Sequence, residues 1–255
     1  MVTFSIIIPT LNEEFFLPKL LTSLSEQTDQ DFEIIVVDGN STDKTRDVVK
    51  RFEKQFASRL RLTVVTSPSV CKQRNRGAGV AKGDYFIFVD ADGILLPQAI
   101  ERFKGFIAKE HPEYITPRFL PDTDKVSDAM VVFSMNVTIE MSIIFRRPLA
   151  LGQFCIISRK IFAAIGGYNE QLSFGEDQDI SERIYVQGSM LRILREALVI
   201  HSLRRHRKMG TLKVLWLNAR LAVQVVLTKK TPSSIPWYIM GGQLYNDDTQ
   251  ITKKK

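Results

Sequence analysis

Asp90-Ala91-Asp92 closes an apolar run, Tyr85-Phe86-Ile87-Phe88-Val89, and so sets two carboxylates one residue apart at the end of a buried strand. Hard cations such as Mg²⁺ or Mn²⁺ take oxygen ligands, commonly one or two carboxylates together with the phosphates of a substrate. Such a cation would neutralise charge building up on a departing nucleotide. A second acidic group, Phe174-Gly175-Glu176-Asp177-Gln178-Asp179, brings three carboxylates to a helix start, where the helix dipole favours negative charge. Asp177 is the candidate general base for taking a proton from an attacking hydroxyl. Asp38, in Asp38-Gly39-Asn40-Ser41-Thr42-Asp43, could accept a hydrogen bond from a base N–H or a ribose hydroxyl. Lys72-Gln73-Arg74-Asn75-Arg76-Gly77 opens a helix with cations and amides that suit phosphate. His201 ends an apolar stretch, and its neutral imidazole is a candidate metal ligand or a structural histidine.

These residues need a frame that gathers strand ends. Short apolar runs at 4–8, 32–37, 60–65 and 85–89 alternate with helical patterns at 17–24, 44–56, 73–81 and 97–109. That alternation predicts a largely parallel sheet covered by helices, in which ligands bind beyond the carboxyl ends of the strands. Asn12-Glu13, Asp38 and Asp90-Asp92 all follow such ends. The second half is less regular: an apolar segment at 129–145 broken by Asn136 and Glu140, a strand at 154–158, a Gly166-Gly167-Tyr168 turn, a helix through Ile180 and Ile184, and short strands at 191–194 and 198–200. Gly77, Gly79 and Gly83 lack the GxGxxG spacing and fall in or after a helix, which excludes a dinucleotide-binding loop.

In order along residues 3–202, these motifs resemble the family 2 glycosyltransferases. The pieces are Ser5-Ile6-Ile7-Ile8-Pro9-Thr10-Leu11-Asn12-Glu13, Val36-Val37-Asp38-Gly39, Arg74-Asn75-Arg76-Gly77, Asp90-Ala91-Asp92, Gly166-Gly167-Tyr168, Glu176-Asp177-Gln178-Asp179 and His201. The resemblance implies a GT-A α/β fold, a mixed and mostly parallel sheet flanked by helices. It also implies transfer of a sugar from a nucleotide-diphospho-sugar to an acceptor hydroxyl by an inverting, metal-dependent route. By the same resemblance the donor would meet Pro9, Thr10, Asn12, Glu13, Asp38, Gly39, Arg74, Asn75, Asp90, Ala91 and Glu176. The metal would fall to Asp90, Asp92 and His201, and the base would be Asp177. Gly93 stands where an acid often follows the aspartate pair, and no QxxRW motif is present, so polymerase activity is not assigned. A nucleotidyltransferase on a related fold would need a Gly-rich loop followed by Arg after the first strand, which is absent. A noncatalytic binder of anionic lipid or nucleic acid would leave the three acid clusters without a purpose, and acids repel a phosphate backbone.

The resemblance sets a catalytic domain at 1–202, divided into a nucleotide-binding half (1–110) and an acceptor half (111–202), with a basic helical extension at 203–255. The net charge of +7 suits anionic partners. Eight Lys or Arg and no acid lie between His201 and Lys230, and 212–227 patterns as an amphipathic helix. Such a helix lies in a membrane interface, packs on its own domain or joins a second copy. The expectations are therefore peripheral membrane contact through 203–230, a lipid-linked acceptor, or a homodimer, with no nucleic-acid partner. Cys71 and Cys155 have no metal-ligand spacing and read as reduced thiols of a cytoplasmic protein, placed at the inner face of the membrane if it binds there. No basic segment precedes an apolar run at the start, so no signal peptide is expected. No uninterrupted apolar run reaches the ~18 residues that would span a bilayer.

Overall fold

The computed structural model describes residues 3–210 of the 255. The proposed helix at 212–227 lies outside them. The first strand, β1 (Phe4–Thr10), is buried along its whole length, because Ile6, Ile7 and Ile8 face apolar layers on both sides of the sheet. It pairs in parallel with β2 (Phe32–Asp38) and with β4 (Tyr85–Val89), and β2 pairs in parallel with β3 (Leu60–Val64). The β1–β4 pairing stops at Ile7↔Phe88, so Pro9 and Thr10 run on past it. A proline is tolerated there because it has no N–H to offer a ladder.

Four helices connect this half: α1 (Leu17–Ser25), α2 (Thr45–Phe56), α3 (Val70–Val80) and α4 (Ala99–Glu110). Helix α3 lies close on β1. A Cβ on Gly77 would come within 2.5 Å of Ile7 Cγ2, and one on Gly83 within 2.6 Å of the Phe4 carbonyl carbon.

The second half completes the same sheet. β7 (Phe154–Ser158) pairs antiparallel with β4, and β6 (Tyr114–Pro121) pairs antiparallel with β7. β8 (Leu191–His201) runs parallel to β6, and the two-residue β5 (Ile94–Leu95) closes the far edge against it. The strand order is β3-β2-β1-β4-β7-β6-β8-β5, a mixed, mostly parallel sheet flanked by helices. The two short strands expected at 191–194 and 198–200 are one strand, because an irregularity opposite Pro117-Arg118-Phe119 absorbs the polar interruption between them.

Helix α5 (Val126–Ile144) lies along β6 and β8. The two polar breaks in its apolar sequence are its anchors. Asn136 exchanges two 3.0 Å hydrogen bonds with the backbone of Phe119, and Glu140 pairs with Arg118 at 3.0 Å and Arg195 at 2.9 Å. By length and composition α5 is also apolar enough to cross a membrane, although Asn136 and Glu140 break its apolar run. Three helices follow: α6 (Arg159–Ala164), α7 (Glu176–Val186) and α8 (Arg204–Met209).

Candidate active site

A cavity of about 380 Å³ opens beyond the carboxyl ends of β1 and β4 and is closed by the starts of α7 and α8. Its wall carries Pro9, Thr10, Glu13, Arg74, Asp90, Ala91, Asp92, Glu176, Asp177 and His201. The topology thus brings ten of the fourteen residues singled out from sequence to one space.

Two arginines organise the acids. Arg74, on α3, is buried, with its guanidinium over the Tyr168 ring at 5.1 Å. It donates to Asp90 at 3.0 Å, to Glu176 at 3.2 Å and to the Gly152 carbonyl, while its Nε finds no acceptor. Arg204, in the first turn of α8, donates to both oxygens of Glu13 at 2.7 and 2.8 Å and lies 2.7 Å from Asp92. Its guanidinium also stacks over Phe16 at 4.2 Å. Each aspartate of the Asp90-Ala91-Asp92 motif therefore has its own arginine. Burial nonetheless pushes the Glu13 carboxyl up to about 7, against the hydrogen bonds and charge of Arg204 and with the help of Asp92 and Asp90. Asp90 is likewise raised, first by burial, with Arg74 opposing and Asp92 adding.

Asp177 lies across the cavity in the first turn of α7, after Gly175, whose φ of 74° is left-handed. Its carboxylate accepts the N–H of Gly152 at 3.2 Å and of Gln178 at 2.8 Å. Burial, then the charge of Glu176, raises it to about 6. A carboxylate so raised is ionised at neutral pH yet basic enough to hold a proton, which is what a general base needs.

Four expected donor contacts are not on the wall. Asp38 has no exposed surface, because Ser41, Arg46 and Thr10 use its oxygens. Gly39 backs onto the Gln73 side chain. Asn12, at φ 56°, accepts the Thr42 N–H at 2.8 Å on its side-chain oxygen and donates its own backbone N–H to the Ser41 hydroxyl oxygen at 2.9 Å. Asn75 brackets the Gly167-Tyr168 turn through the N–H and carbonyl of Tyr168, both at 2.8 Å. These side chains spend their polarity on holding loops. His201 lines the same cavity as Asp90 and Asp92. Among the described residues no three His, Cys, Asp or Glu are grouped so as to hold a metal by themselves. The imidazole packs against Phe119 with centroids 6.3 Å apart, and burial, then nearby His206, lowers it to about 3, so it is neutral.

Sequence reasoning gave no individual role to Gln73 or Arg204. Gln73 donates to the carbonyls of Thr10 and Val37 at 2.8 and 2.7 Å and pins the ends of β1 and β2 together. A buried amide inside a basic run carries no distinguishing pattern. Arg204 was visible only as part of an acid-free basic cluster after His201.

The model of the family described as Glycosyl transferase family 2 matches residues 5–166. A relative from Mycobacterium bovis, named PGL/p-HBAD biosynthesis glycosyltransferase, is 31% identical over 194 residues, covering 74% of this chain and 72% of the relative. A poly(ribitol-phosphate) beta-N-acetylglucosaminyltransferase, TarS of Staphylococcus aureus, is 25% identical over 80% of this chain, which spans 36% of that protein. Among solved structures, TarS residues 1–349 with UDP-GlcNAc align with a TM-score of 0.65 at 21% identity, covering 79% of this chain and 59% of that one. A mannosyltransferase from Pyrobaculum calidifontis in complex with GDP-Man and Mn²⁺ aligns at 0.62 and 19% identity, covering 78% and 56%. At those identities the structural likeness establishes the fold, which is the GT-A fold. With the family's model spanning most of the sheet, and a named glycosyltransferase matched along most of both chains, this chain is a glycosyltransferase and belongs to glycosyl transferase family 2.

Proposed function

We propose that the chain transfers a sugar from a nucleotide-diphospho-sugar to an acceptor hydroxyl with inversion, using a divalent cation. The observation that carries this reading is the single cavity shared by Asp90, Asp92 and Asp177. Two carboxylates at a strand end are a sufficient protein share for Mg²⁺ or Mn²⁺ when diphosphate oxygens complete the shell, and the raised Asp90 would be relieved by a cation. Asp90 and Asp92 would hold the ion, and it would supply charge neutralisation for the leaving nucleoside diphosphate. Pro9, Thr10 and Glu13 border the nucleotide. Arg74 fixes Asp90 and Glu176, and through them the spacing between the donor side and the base side. Asp177 accepts the proton of the attacking hydroxyl as the sugar–oxygen bond forms on the face opposite the departing diphosphate. The apolar flank of the cavity, Met135, Leu151 and Phe174, suits an acceptor with an apolar portion, and a lipid-linked acceptor fits it.

The test is thermal unfolding of the full chain with UDP, GDP, dTDP and CDP, each with and without Mn²⁺. A ligand of the native state raises the midpoint as RT ln(1 + [L]/Kd). We expect one nucleotide to raise it only with metal, and Asp92→Ala to abolish that dependence. A folded sample that no nucleotide shifts would defeat the donor-site assignment.

A further inference from the structure

Helix α5 has one side that its anchoring to the sheet does not use. Val126, Met130, Phe133, Val137, Met141 and Ile144 fall at steps of three and four residues and are all exposed, Phe133 and Ile144 to 69% each. The other exposed positions between them are Ser127, Ala129, Ser134 and Thr138, so the outer face carries no charge. Both acids of the helix are taken up: Asp128 is buried against Thr123 and Arg207, and Glu140 is held by Arg118 and Arg195. A solvated helix face ordinarily carries charge, and a contiguous apolar stripe of this length marks a contact surface.

The ends of the stripe indicate what it contacts. Lys125 precedes it, and Phe145, Arg146 and Arg147 follow it, all exposed. An apolar band with cations at both ends matches the acyl boundary and headgroups of an anionic bilayer. The anchors exclude a span. Val131, Val132 and Ile139 bury the opposite face of α5, and Asn136 and Glu140 on its flank tie it to β6 and β8, so the helix lies flat, with only one side free for lipid. Of the basic cluster expected to touch membrane, Arg204 and Arg207 instead serve Glu13, Asp92, Asp122 and Asp128 within the protein.

We infer that the outer face of α5 is an interfacial docking surface for an anionic lipid bilayer. The inference does not depend on the reaction proposed for the cavity, although Met135 of the same helix lines that cavity and would bring its mouth to the membrane.

The full chain is sedimented with vesicles of phosphatidylcholine alone and of phosphatidylcholine with phosphatidylserine, beside Phe133→Glu/Ile144→Glu and Arg146→Gln/Arg147→Gln. All four substituted side chains are exposed, and circular dichroism with the thermal midpoint checks that each variant is folded. We expect partitioning onto the anionic vesicles that weakens about tenfold or more in the first variant, since each buried side chain of this size favours the apolar phase by about that factor. The arginine variant should lose the preference for phosphatidylserine and keep a residual apolar term. The inference is overturned if the native chain stays in the supernatant, or if the glutamate variant sediments as the native chain does. It is equally overturned if the native chain is a dimer that the glutamate variant converts to monomer without any lipid binding, for then a second copy covers the stripe.

Discussion

Asp177 is acted on by two influences of the same sign: it is buried, and it follows another carboxylate. Both raise its affinity for a proton, and the N–H groups of Gln178 and Gly152 oppose them. A base must be ionised to accept a proton, so kcat/KM should rise as pH increases through about 6 and level off above it. Glu176→Gln removes the adjacent negative charge and should move that limb to lower pH; an unmoved limb would mean that another group titrates. Asp177→Asn should lower kcat by roughly 10²–10⁴-fold, the usual share of general-base catalysis, while keeping the metal-dependent thermal shift with nucleotide. Loss of both would make Asp177 a donor-site residue instead.

At the scale of elements, the closeness of α3 and its flanking loop to β1 sets how firmly the cavity's floor is held. Gly83→Ala would drive a Cβ against the backbone of Phe4 and Ser5, and backbone cannot swing aside as a flexible side chain can. We expect a loss of about 1–3 kcal/mol, read as a midpoint lower by roughly 2–4 °C per kcal/mol in a domain of this size. Gly105→Ala is the contrast: it lies inside α4 with open space around it, and should stabilise by about 0.5–1 kcal/mol. The strands legible in the sequence were β1, β2, β4 and β7, buried along nearly their whole length and so largely apolar, and the edge strand β3, where Leu60 and Leu62 alternate with Arg61 and Thr63. β6 escaped notice because Pro117, Arg118 and Pro121 interrupt it, and its pairing with β8 is carried by long-range register that no local pattern encodes. β5 is two residues long and exists only because β8 passes beside it. In the site, acids at strand ends could be read directly. Whether an acid faces the cavity or a loop could not, since Asp38 and Asp90 follow equally apolar strands and differ only in the partners that distant segments bring to them.

For the whole molecule, the sheet does not divide where the sequence does. Residues 94–95 form the edge strand beyond β8, at the opposite end of the sheet from β3, so the first 110 residues contribute to both edges and enclose β7, β6 and β8. The two halves share one continuous core that includes Phe88, Phe103, Phe154 and Phe162. A shared core predicts one cooperative transition: far-UV and near-UV circular dichroism should give coincident denaturation midpoints. Two separated transitions would show that the halves are independent.

The pairing of Arg74 and Arg204 with the acids also determines the order in which charge can enter the cavity. Its wall bears five carboxylates, Glu13, Asp90, Asp92, Glu176 and Asp177, and three guanidinium groups, Arg74, Arg204 and Arg205. An excess of anions repels a diphosphate, and the two arginines best placed to greet one are already engaged. A divalent ion would cancel that excess, and a diphosphate would in turn deepen the well for the ion. Thermodynamic reciprocity then requires each to tighten the other's binding by the same factor. On the proposed reading, the resting pocket discriminates against bare nucleotide and admits it as the metal complex.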